Sequence, residues 1–298
     1  MATIRTYKLN EKFFNKIDTE EKAYVLGFIM ADGGIYMKNA YRLYFSLNYK
    51  DIEILRKIQA AMESNYNIKI IEQSNDFGES TIARLVLNSK MLVNDLIALG
   101  FDNNKTGNEF IPDIEPALIR HFLRGFFDGD GTIFKSRGYD IVGFTSSLDM
   151  LNAINELLSK ELGLDIKRVY TESGNKQAYR LYYSRQEEVY KIYNYLYDNA
   201  TIYLERKKGK FVDTITKLDQ EKFKLNEVNN LRTSLKEFIK KNKIKQKDFA
   251  ESIGVKPLWL NEFLTGRKKT IPDEIQQKII AKKENYDNLL IQELINES

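Results

Sequence analysis

Two aspartates that recur at matching places in the chain are the residues best suited to chemistry. Asp32 and Asp130 are each followed directly by glycine, and they close the similar segments YVLGFIMADGG (24–34) and FLRGFFDGDGT (122–132). Asp128 aligns with Met30, so this further carboxylate is not repeated. Two carboxylates held side by side repel each other and favour a divalent cation between them. Metal ions bound in this way activate water and stabilise a leaving oxygen in phosphodiester cleavage.

The spacing of small residues predicts how the two aspartates meet. Residues four apart lie on one face of a helix, and small residues there let two helices approach closely. We therefore expect the two motif helices to pack against each other and to end together at Asp32 and Asp130. We expect Gly33 and Gly131 to end them in a left-handed conformation, which glycine adopts at little cost. The small residues four apart are Gly27 and Ala31 in the first segment, and Gly125 and Gly129 in the second.

The competing interpretation is a pair of acidic helix caps on a duplicated scaffold, and the recurring small-residue spacing favours the functional one. The residue spacing excludes three other kinds of site: an EF-hand loop, an aspartic protease site and a phosphate-binding loop. Counted from Asp128, positions six and twelve of an EF-hand loop are Ile133 and Tyr139 instead of Gly and Glu. An aspartic protease has Ser or Thr between Asp and Gly, whereas here glycine follows directly. The phosphate-loop pattern G-x-x-x-x-G-K-[ST] does not occur.

The flanks of the motif repeat as well. Each motif is followed by an alternating strand, an aspartate (Asp51 and Asp149) and a run with helical periodicity. Further strands are predicted at 81–88 and 178–184, and further helices at 90–99 and 187–198. This order predicts an α+β fold with two αββαββα halves, residues 1–115 and 116–213, arranged as a pseudo-twofold monomer.

Composition narrows the function classes. The chain has 298 residues with 43% hydrophobic residues, no cysteine and a single histidine, His121. Disulfides, thiolate metal sites and multi-histidine zinc sites are therefore excluded, and any metal must bind oxygen ligands, as magnesium, calcium and manganese do. No apolar run approaches 18 residues and the N-terminus lacks an apolar signal-peptide core. We therefore expect a cytoplasmic protein with no membrane association.

The segments VLGFIMADG (25–33) and LRGFFDGDG (123–131) resemble the two motifs of the LAGLIDADG homing endonucleases, and the resemblance covers roughly residues 20–213. It implies that the sheets of the two halves form a saddle in the DNA major groove and that each half cuts one strand. It also implies that the last acidic residue of each motif, Asp32 in the first and Asp130 in the second, binds a divalent metal at a scissile phosphate. That metal is expected to be Mg²⁺, for which Mn²⁺ can substitute. Asp128 falls on a non-ligand position. Lys105 and Lys207 match the basic residues near the metal centre.

Alternation in the strands indicates which side chains face DNA. In YRLYFSLN (41–48), the apolar Leu43, Phe45 and Leu47, together with Tyr41, are expected to point inward. Outward side chains would then hydrogen-bond base edges, while Lys and Arg also hold phosphates. The predicted DNA contacts are Arg42, Tyr44, Ser46, Asn48 and Arg84 in the first half, and Lys135, Arg137, Arg180, Tyr182 and Ser184 in the second.

Positive charge is concentrated near the C-terminus. The net charge of the chain is +4, and residues 231–270 hold eleven Lys and Arg against four Asp and Glu. The stretch QKDFAESIGVKPLWLNEFLTGRKKTIP resembles the helix-turn-helix of phage-repressor-like domains, with a recognition helix at about 256–264. We expect a polar linker at 214–230 and a helix-turn-helix domain with a helical tail at 231–298. Its expected DNA contacts are Lys256, Trp259, Asn261 and Arg267.

Together these features predict a magnesium-dependent endonuclease that makes double-strand breaks at a long specific site in double-stranded DNA. The chain starts with Met and ends INES, without the terminal residues of an intein, so we expect a free-standing or intron-encoded enzyme of bacterial or phage origin. Two other classes stay open. One is a transcription regulator that binds DNA without cutting it, and the other is a maturase that binds its host intron RNA.

Overall fold

The computed structural model describes residues 7–75, 78–102, 107–171 and 178–296. The chain divides into two compact units, Met1–Ile215 and Thr216–Ser298. Lys105, predicted to lie near the metal centre, falls outside the described residues.

The first unit consists of two halves with the same order of elements, as the sequence predicts. Both halves run helix, strand, strand, helix, strand, strand, helix, and a short helix α7 (Glu205–Gly209) follows the second half. The first half contains α1 (Glu20–Asp32), β1 (Gly33–Tyr36), β2 (Arg42–Asn48), α2 (Ile52–Ala61), β3 (Lys69–Asn75), β4 (Gly78–Asn88) and α3 (Lys90–Ala98). The second half contains α4 (Pro116–Asp130), β5 (Gly131–Ser136), β6 (Tyr139–Ser146), α5 (Leu148–Leu162), β7 (Tyr170–Thr171), β8 (Tyr179–Tyr183) and α6 (Gln186–Tyr197).

Each half builds one antiparallel sheet of four strands. The strand orders are β1-β2-β4-β3 and β5-β6-β8-β7. On β2, the side chains of Leu43, Phe45 and Leu47 enter the core, whereas the alternate positions lie on the other face. This confirms the predicted α+β class, the duplicated halves and the inward and outward alternation of β2.

The helices α1 and α4 lead into their sheets without a loop. Asp32 is the last residue of α1 and Gly33 is the first of β1, and Asp130 and Gly131 stand in the same relation at the end of α4. The prediction of a left-handed glycine is wrong here, because φ is −95° at Gly33 and −73° at Gly131. Glycine is needed for space: a Cβ on Gly33 would lie 2.7 Å from the Cα of Ile29, and one on Gly131 would lie 2.4 Å from the carbonyl oxygen of Phe127.

The second unit is helical. The helix α8 (Val212–Lys241) contains the segment 214–230 that the sequence suggests as a linker, and α9 (Gln246–Ser252), α10 (Pro257–Leu264) and α11 (Asp273–Asn296) follow. Its apolar core includes Phe238, Phe249, Leu260, Phe263 and Ile279. In the part of the chain that the structure describes, none of the helices has the length and apolarity needed to cross a membrane.

Candidate active site

The site is positioned by the crossing of α1 and α4. A Cβ on Gly27 would lie 1.9 Å from the carbonyl oxygen of Phe122, and one on Gly125 would lie 2.0 Å from that of Tyr24. Each glycine therefore makes room for the backbone of the opposite helix, in a reciprocal contact. This confirms the close packing that the small-residue spacing predicts.

The crossing brings the ends of the two helices together. A Cβ on Gly129 would lie 2.2 Å from the Cβ of Ala31 and 3.1 Å from Oδ2 of Asp32. Gly129 immediately precedes Asp130, so the first half's carboxylate lies against the backbone that carries the second. Asp32 is half-buried and Asp130 is exposed.

Asp128 points away from solvent and is held inside the protein. Tyr24 Oη donates to its Oδ2 at 2.7 Å, and Tyr197 Oη donates to its Oδ1 at 2.6 Å. The backbone N–H of Leu204 donates to Oδ2 at 2.7 Å. Burial raises the pKa of Asp128, and these three hydrogen bonds act in the opposite direction. Because both carboxylate oxygens accept protein donors, Asp128 connects α1, α6 and the segment before α7.

Lys207 lies at the end of α4. Its Nζ donates to the carbonyl oxygens of Phe127 (2.7 Å), Gly129 (2.7 Å) and Gly131 (2.6 Å). Burial lowers the pKa of Lys207 to about 8, while Asp128 and Asp32 favour its charged form. Leu204, three residues earlier, is bonded to Asp128, so that carboxylate anchors the segment that delivers the lysine. The structure thus places Lys207 beside the paired aspartates.

One ion pair at the site was not predicted from the sequence. Arg206 Nε and Nη2 donate to Oδ1 and Oδ2 of Asp51 at 3.0 and 2.7 Å, and this bond raises the pKa of Arg206. Both residues line a cavity of about 150 Å³ with Asp32 and Asn48. Asp51 stands out in the repeat and Arg206 belongs to a basic run. However, 155 residues separate them, and sequence spacing does not reveal contacts of that range.

A second unpredicted cluster lies near the start of the crossing helices. Arg124 is fully buried; its Nη2 donates to Oε1 of Glu20 at 2.6 Å, and its other nitrogens reach the carbonyl oxygens of Leu196 and Ile202. His121 Nδ1 lies 3.0 Å from Arg124 Nη1. Burial and then the charge of Arg124 lower the pKa of His121 to about 4. The histidine is therefore neutral near pH 7 and belongs to the scaffold.

The donor groups at the helix ends fit a hard divalent cation. Asp32 and Asp130 supply carboxylate oxygens, whereas the carbonyl oxygens of Phe127, Gly129 and Gly131 already accept from Lys207 Nζ. Among the described residues, no cluster of three or more His, Cys, Asp or Glu side chains is arranged to hold a metal. Mg²⁺ suits such a sparse site, because it commonly binds one or two carboxylates and completes its shell with water and substrate phosphates.

The predicted DNA contacts of the first half share one sheet face. Register pairs Ser46 with Arg84 and Arg84 with Lys69, while Arg42 pairs with Asn88. Arg42, Tyr44 and Asn48 are exposed and Ser46 and Arg84 are half-buried, on the side opposite to the core residues.

The second half matches this less completely. Arg180 and Tyr182 of β8 alternate with the core residues Leu181 and Tyr183, so they belong to the outer face, with Ser184 just beyond the strand. Lys135 is exposed but follows Ile133 by two residues, so it is in phase with the core side of β5. Lys135 and Arg180 therefore do not share a sheet face, and the DNA contact of Lys135 stays a prediction. Arg137 is exposed in the turn between β5 and β6, with φ of 51°.

The predicted contacts of the second unit separate into two groups. Lys256, Asn261 and Arg267 are exposed. Trp259 is half-buried, packs on the apolar core of this unit and stacks on Phe263 with ring centroids 5.7 Å apart. This position gives Trp259 a structural role in the fold of the second unit.

Residues 117–197 match the family described as the LAGLIDADG-like domain. The chain is 29% identical over 185 residues to a DNA polymerase of Acanthamoeba polyphaga mimivirus, covering 57% of this chain and 10% of that protein. It is 25% identical over 279 residues to the DNA-directed RNA polymerase subunit Rpo1C of Methanocaldococcus jannaschii, covering 86% of this chain and 31% of that protein. The chain thus spans only a small part of the length of these two proteins.

Solved structures with similar folds include the homing endonuclease I-WcaI bound to its DNA recognition sequence, with 14% identity and a TM-score of 0.46 over 66% of this chain and 91% of that one. The LAGLIDADG meganuclease I-CpaMI bound to uncleaved DNA has 13% identity and a TM-score of 0.46, over 70% and 93% of the two chains. Full-length DUF199/WhiA from Thermatoga maritima has 14% identity and a TM-score of 0.45, over 93% and 96%.

Proposed function

We propose that this protein is a site-specific DNA endonuclease that makes double-strand breaks with the help of Mg²⁺, for which Mn²⁺ can substitute. The observation that carries the proposal is the reciprocal glycine contact of α1 and α4, which places Asp32 against the backbone before Asp130. Each carboxylate lies where the first strand of a sheet begins. A DNA duplex centred on the two carboxylates would therefore have one sheet along each of its two half-sites. The match of residues 117–197 to the LAGLIDADG-like domain agrees with this assignment.

Each named residue has a defined part in the proposed reaction. Asp32 and Asp130 would hold the metal, which when bound supplies a Lewis acid that activates water and stabilises the leaving oxygen. Lys207 keeps a positive charge beside these carboxylates, where a scissile phosphate needs neutralisation. Asp128 holds the segment that carries Lys207 through the N–H of Leu204, and Arg206 extends the positive charge on the Asp32 side.

Cleavage of a plasmid library is the direct test. Purified full-length protein and Mg²⁺ are incubated with randomised or genomic inserts, and the new DNA ends are sequenced. We expect discrete breaks with short 3′ overhangs. The double variant Asp32→Asn/Asp130→Asn should lose cleavage while keeping sequence-selective binding, and each single variant should leave nicked plasmid. Asp18→Asn, which alters a carboxylate paired with Lys22 before the start of α1, is the matched control and should cut normally.

The alternatives give different results in the same assay. Selective retention of DNA fragments without any cutting by the wild-type protein would indicate a DNA-binding regulator instead of a nuclease. A splicing effect on intron RNA that survives the double substitution would indicate a maturase and contradict a purely nucleolytic role.

We further propose that the second unit binds DNA as a helix-turn-helix. Ala250 of α9 is fully buried. Gly254, with a φ of 75°, lies in the turn between α9 and α10. Lys256, Asn261 and Arg267 are exposed around α10. Replacing Lys256 and Arg267 by alanine should reduce the slope of log K against log salt by about one for each lost phosphate contact. An unchanged slope would contradict this part of the proposal.

A further inference from the structure

The two sheets of the first unit carry different chemistry on the faces that point away from their helices. We call the face of β1 to β4 the first sheet face and that of β5 to β8 the second sheet face. Register identifies their members. The first has Arg42, Tyr44, Ser46, Lys69 and Arg84, and the second has Thr132, Phe134, Ile141, Arg180 and Tyr182.

The first sheet face is cationic and rich in hydrogen-bond donors. A groove of about 360 Å³ on it is lined by Arg42, Lys69, Arg84 and the amides Asn67 and Asn88. Within the described residues, Nε of Arg84 is buried without a hydrogen-bond partner. The guanidinium of Arg42 lies over the ring of Tyr36, 5.9 Å from its centroid. Arg42 and Arg84 both line this groove, where a hydrogen-bond acceptor of a ligand would meet their side chains.

The second sheet face is aromatic and apolar at its centre. Phe134 pairs with Ile141, and Tyr182 packs over Gly143, where a Cβ would lie 2.7 Å from the ring. Phe134 and Tyr182 meet edge to face with centroids 6.0 Å apart. Phe134 is 41% exposed, so a large apolar group on this face is open to a ligand. These residues line a depression of about 540 Å³.

Among the described residues, two of the three cations that line that depression form ion pairs. Lys167 Nζ lies 2.6 Å from Glu188, and Arg185 lies 2.8 Å from Asp165. Among the described residues, the two faces therefore differ in what they offer a duplex: the first presents Arg42, Lys69 and Arg84, and the centre of the second presents Phe134, Ile141 and Tyr182, with Arg180 beside them.

The major groove presents matching groups. Guanine offers two acceptors, O6 and N7, that fit the arginine fork, and thymine offers the only methyl group, on C5. We propose that the first sheet face reads a half-site containing guanines through Arg42 and Arg84. The second sheet face reads a thymine-rich half-site through methyl contacts with Phe134, Ile141 and Tyr182. This inference rests on the proposed function, and it specifies the composition of the DNA target.

The test begins with full-length Asp32→Asn/Asp130→Asn protein, which is used to select duplexes from a randomised library. Selected half-sites should differ, one rich in guanine and the other in thymine. Deoxyuridine in place of thymine should weaken binding about four-fold for each contacted methyl. 7-Deazaguanine, which lacks the N7 acceptor, should weaken binding about ten-fold at a contacted guanine.

Two variants assign each half-site to a sheet. Arg84→Lys keeps the charge but loses the fork, so it should relax the guanine preference only. Phe134→Ala should abolish the effect of deoxyuridine only. Leu148→Ala removes another exposed apolar side chain, on α5, and serves as the matched control that changes neither preference.

The outcomes separate this inference from the proposed function. Selected half-sites of equal composition, or full tolerance of deoxyuridine at every thymine, would overturn the half-site assignment even if the protein binds and cuts DNA. Absence of both selective binding by the double variant and cleavage by the wild-type protein would overturn the proposed function, and this inference with it.

Discussion

The two halves of the first unit share one fold but differ in what they bury at the helix crossing. With Gly27 aligned to Gly125, Met30 of α1 corresponds to Asp128 of α4, and each is only 1% exposed. Leu26 likewise corresponds to Arg124, and Ala23 to His121. The first half thus has apolar residues where the second has a carboxylate, a guanidinium and an imidazole.

This difference shows where a duplicated scaffold tolerates buried polar groups. Asp128 receives donors from Tyr24, Tyr197 and Leu204, and Arg124 donates to Glu20 and two carbonyl groups. A buried charge is tolerated when its hydrogen bonds are satisfied, and here α1, α6 and the segment after α6 satisfy them. The polar half is therefore the one that anchors the segment carrying Lys207.

The largest expected effect comes from making the second half resemble the first. Asp128→Met leaves the hydroxyls of Tyr24 and Tyr197 and the N–H of Leu204 buried without their acceptor. Removing one member of a buried charged network costs about 3–5 kcal/mol. Calorimetry of the first unit's unfolding transition should show this loss.

The matched change in the first half is Met30→Leu, which conserves apolar volume and should cost less than about 1.5 kcal/mol. Equal costs at positions 30 and 128 would show that the polar network contributes no specific stability and would remove the proposed distinction between the halves.

Substitutions of the two glycines at the helix crossing test whether the two halves pack there in the same way. Gly27→Ala and Gly125→Ala each place a methyl about 2 Å from a carbonyl oxygen of the opposite helix. Such overpacking costs about 1–3 kcal/mol, and we expect similar losses for both variants in urea unfolding followed by circular dichroism. Gly209→Ala in α7 is the control, because no heavy atom lies within 4 Å of its added Cβ. A large loss in only one of the two variants would contradict the reciprocal geometry.

The sequence was sufficient for the features that repeat. The spacing of Gly27 and Gly125 and the recurrence of Asp32 and Asp130 predicted the helix pair, and strand alternation predicted the face of Arg42. What the sequence could not reveal depends on three-dimensional neighbours. The partners of Asp128 lie 69 to 104 residues away. The apolar environment of Trp259 also depends on packing within the second unit.

A smaller difference in stability between the halves should come from His121, whose counterpart in the first half is Ala23, and it should depend on pH. His121 has a pKa of about 4 in the folded protein against an ordinary 6.5, because it is buried beside Arg124. The contribution of neutral His121 to the free energy of unfolding is therefore fully present above pH 6.5. It is lost as the pH falls toward 4, because the histidine of the unfolded chain takes up a proton at higher pH than that of the folded protein. We expect a loss of about 1–2 kcal/mol by pH 5.

His121→Gln should remove that dependence between pH 6.5 and 5, as measured by urea midpoints. The titration of Glu20 does not overlap the pH range from 6.5 to 5. Although burial raises its pKa, the N–H of Thr201 and the charge of Arg124 lower it below the ordinary 4.5, so its contribution is lost only at lower pH. A pH profile identical to that of the wild-type protein would contradict the assignment to His121.

The smallest effect on stability is expected at Arg206, whose partner Asp51 corresponds to Asp149 in the second half. The Arg206 side chain is 48% exposed, and such ion pairs contribute about 0–1 kcal/mol. Arg206→Gln should therefore unfold at nearly the wild-type midpoint. Because Arg206 borders the cavity of Asp32, the variant should still slow cleavage of one strand, and nicked plasmid should accumulate. Equal slowing of both strands would argue against an influence confined to the first site.

The stacked pair of Trp259 and Phe263 has a spectroscopic consequence. Trp259 is the single tryptophan of the chain, and it lies in the second unit, half-buried against an aromatic ring. Excitation at 295 nm therefore monitors the folding of that unit alone, while the first unit, rich in tyrosine and phenylalanine, is silent. The protein thus carries its own fluorescent label, through which the unfolding of its C-terminal helices can be followed separately from that of the first unit.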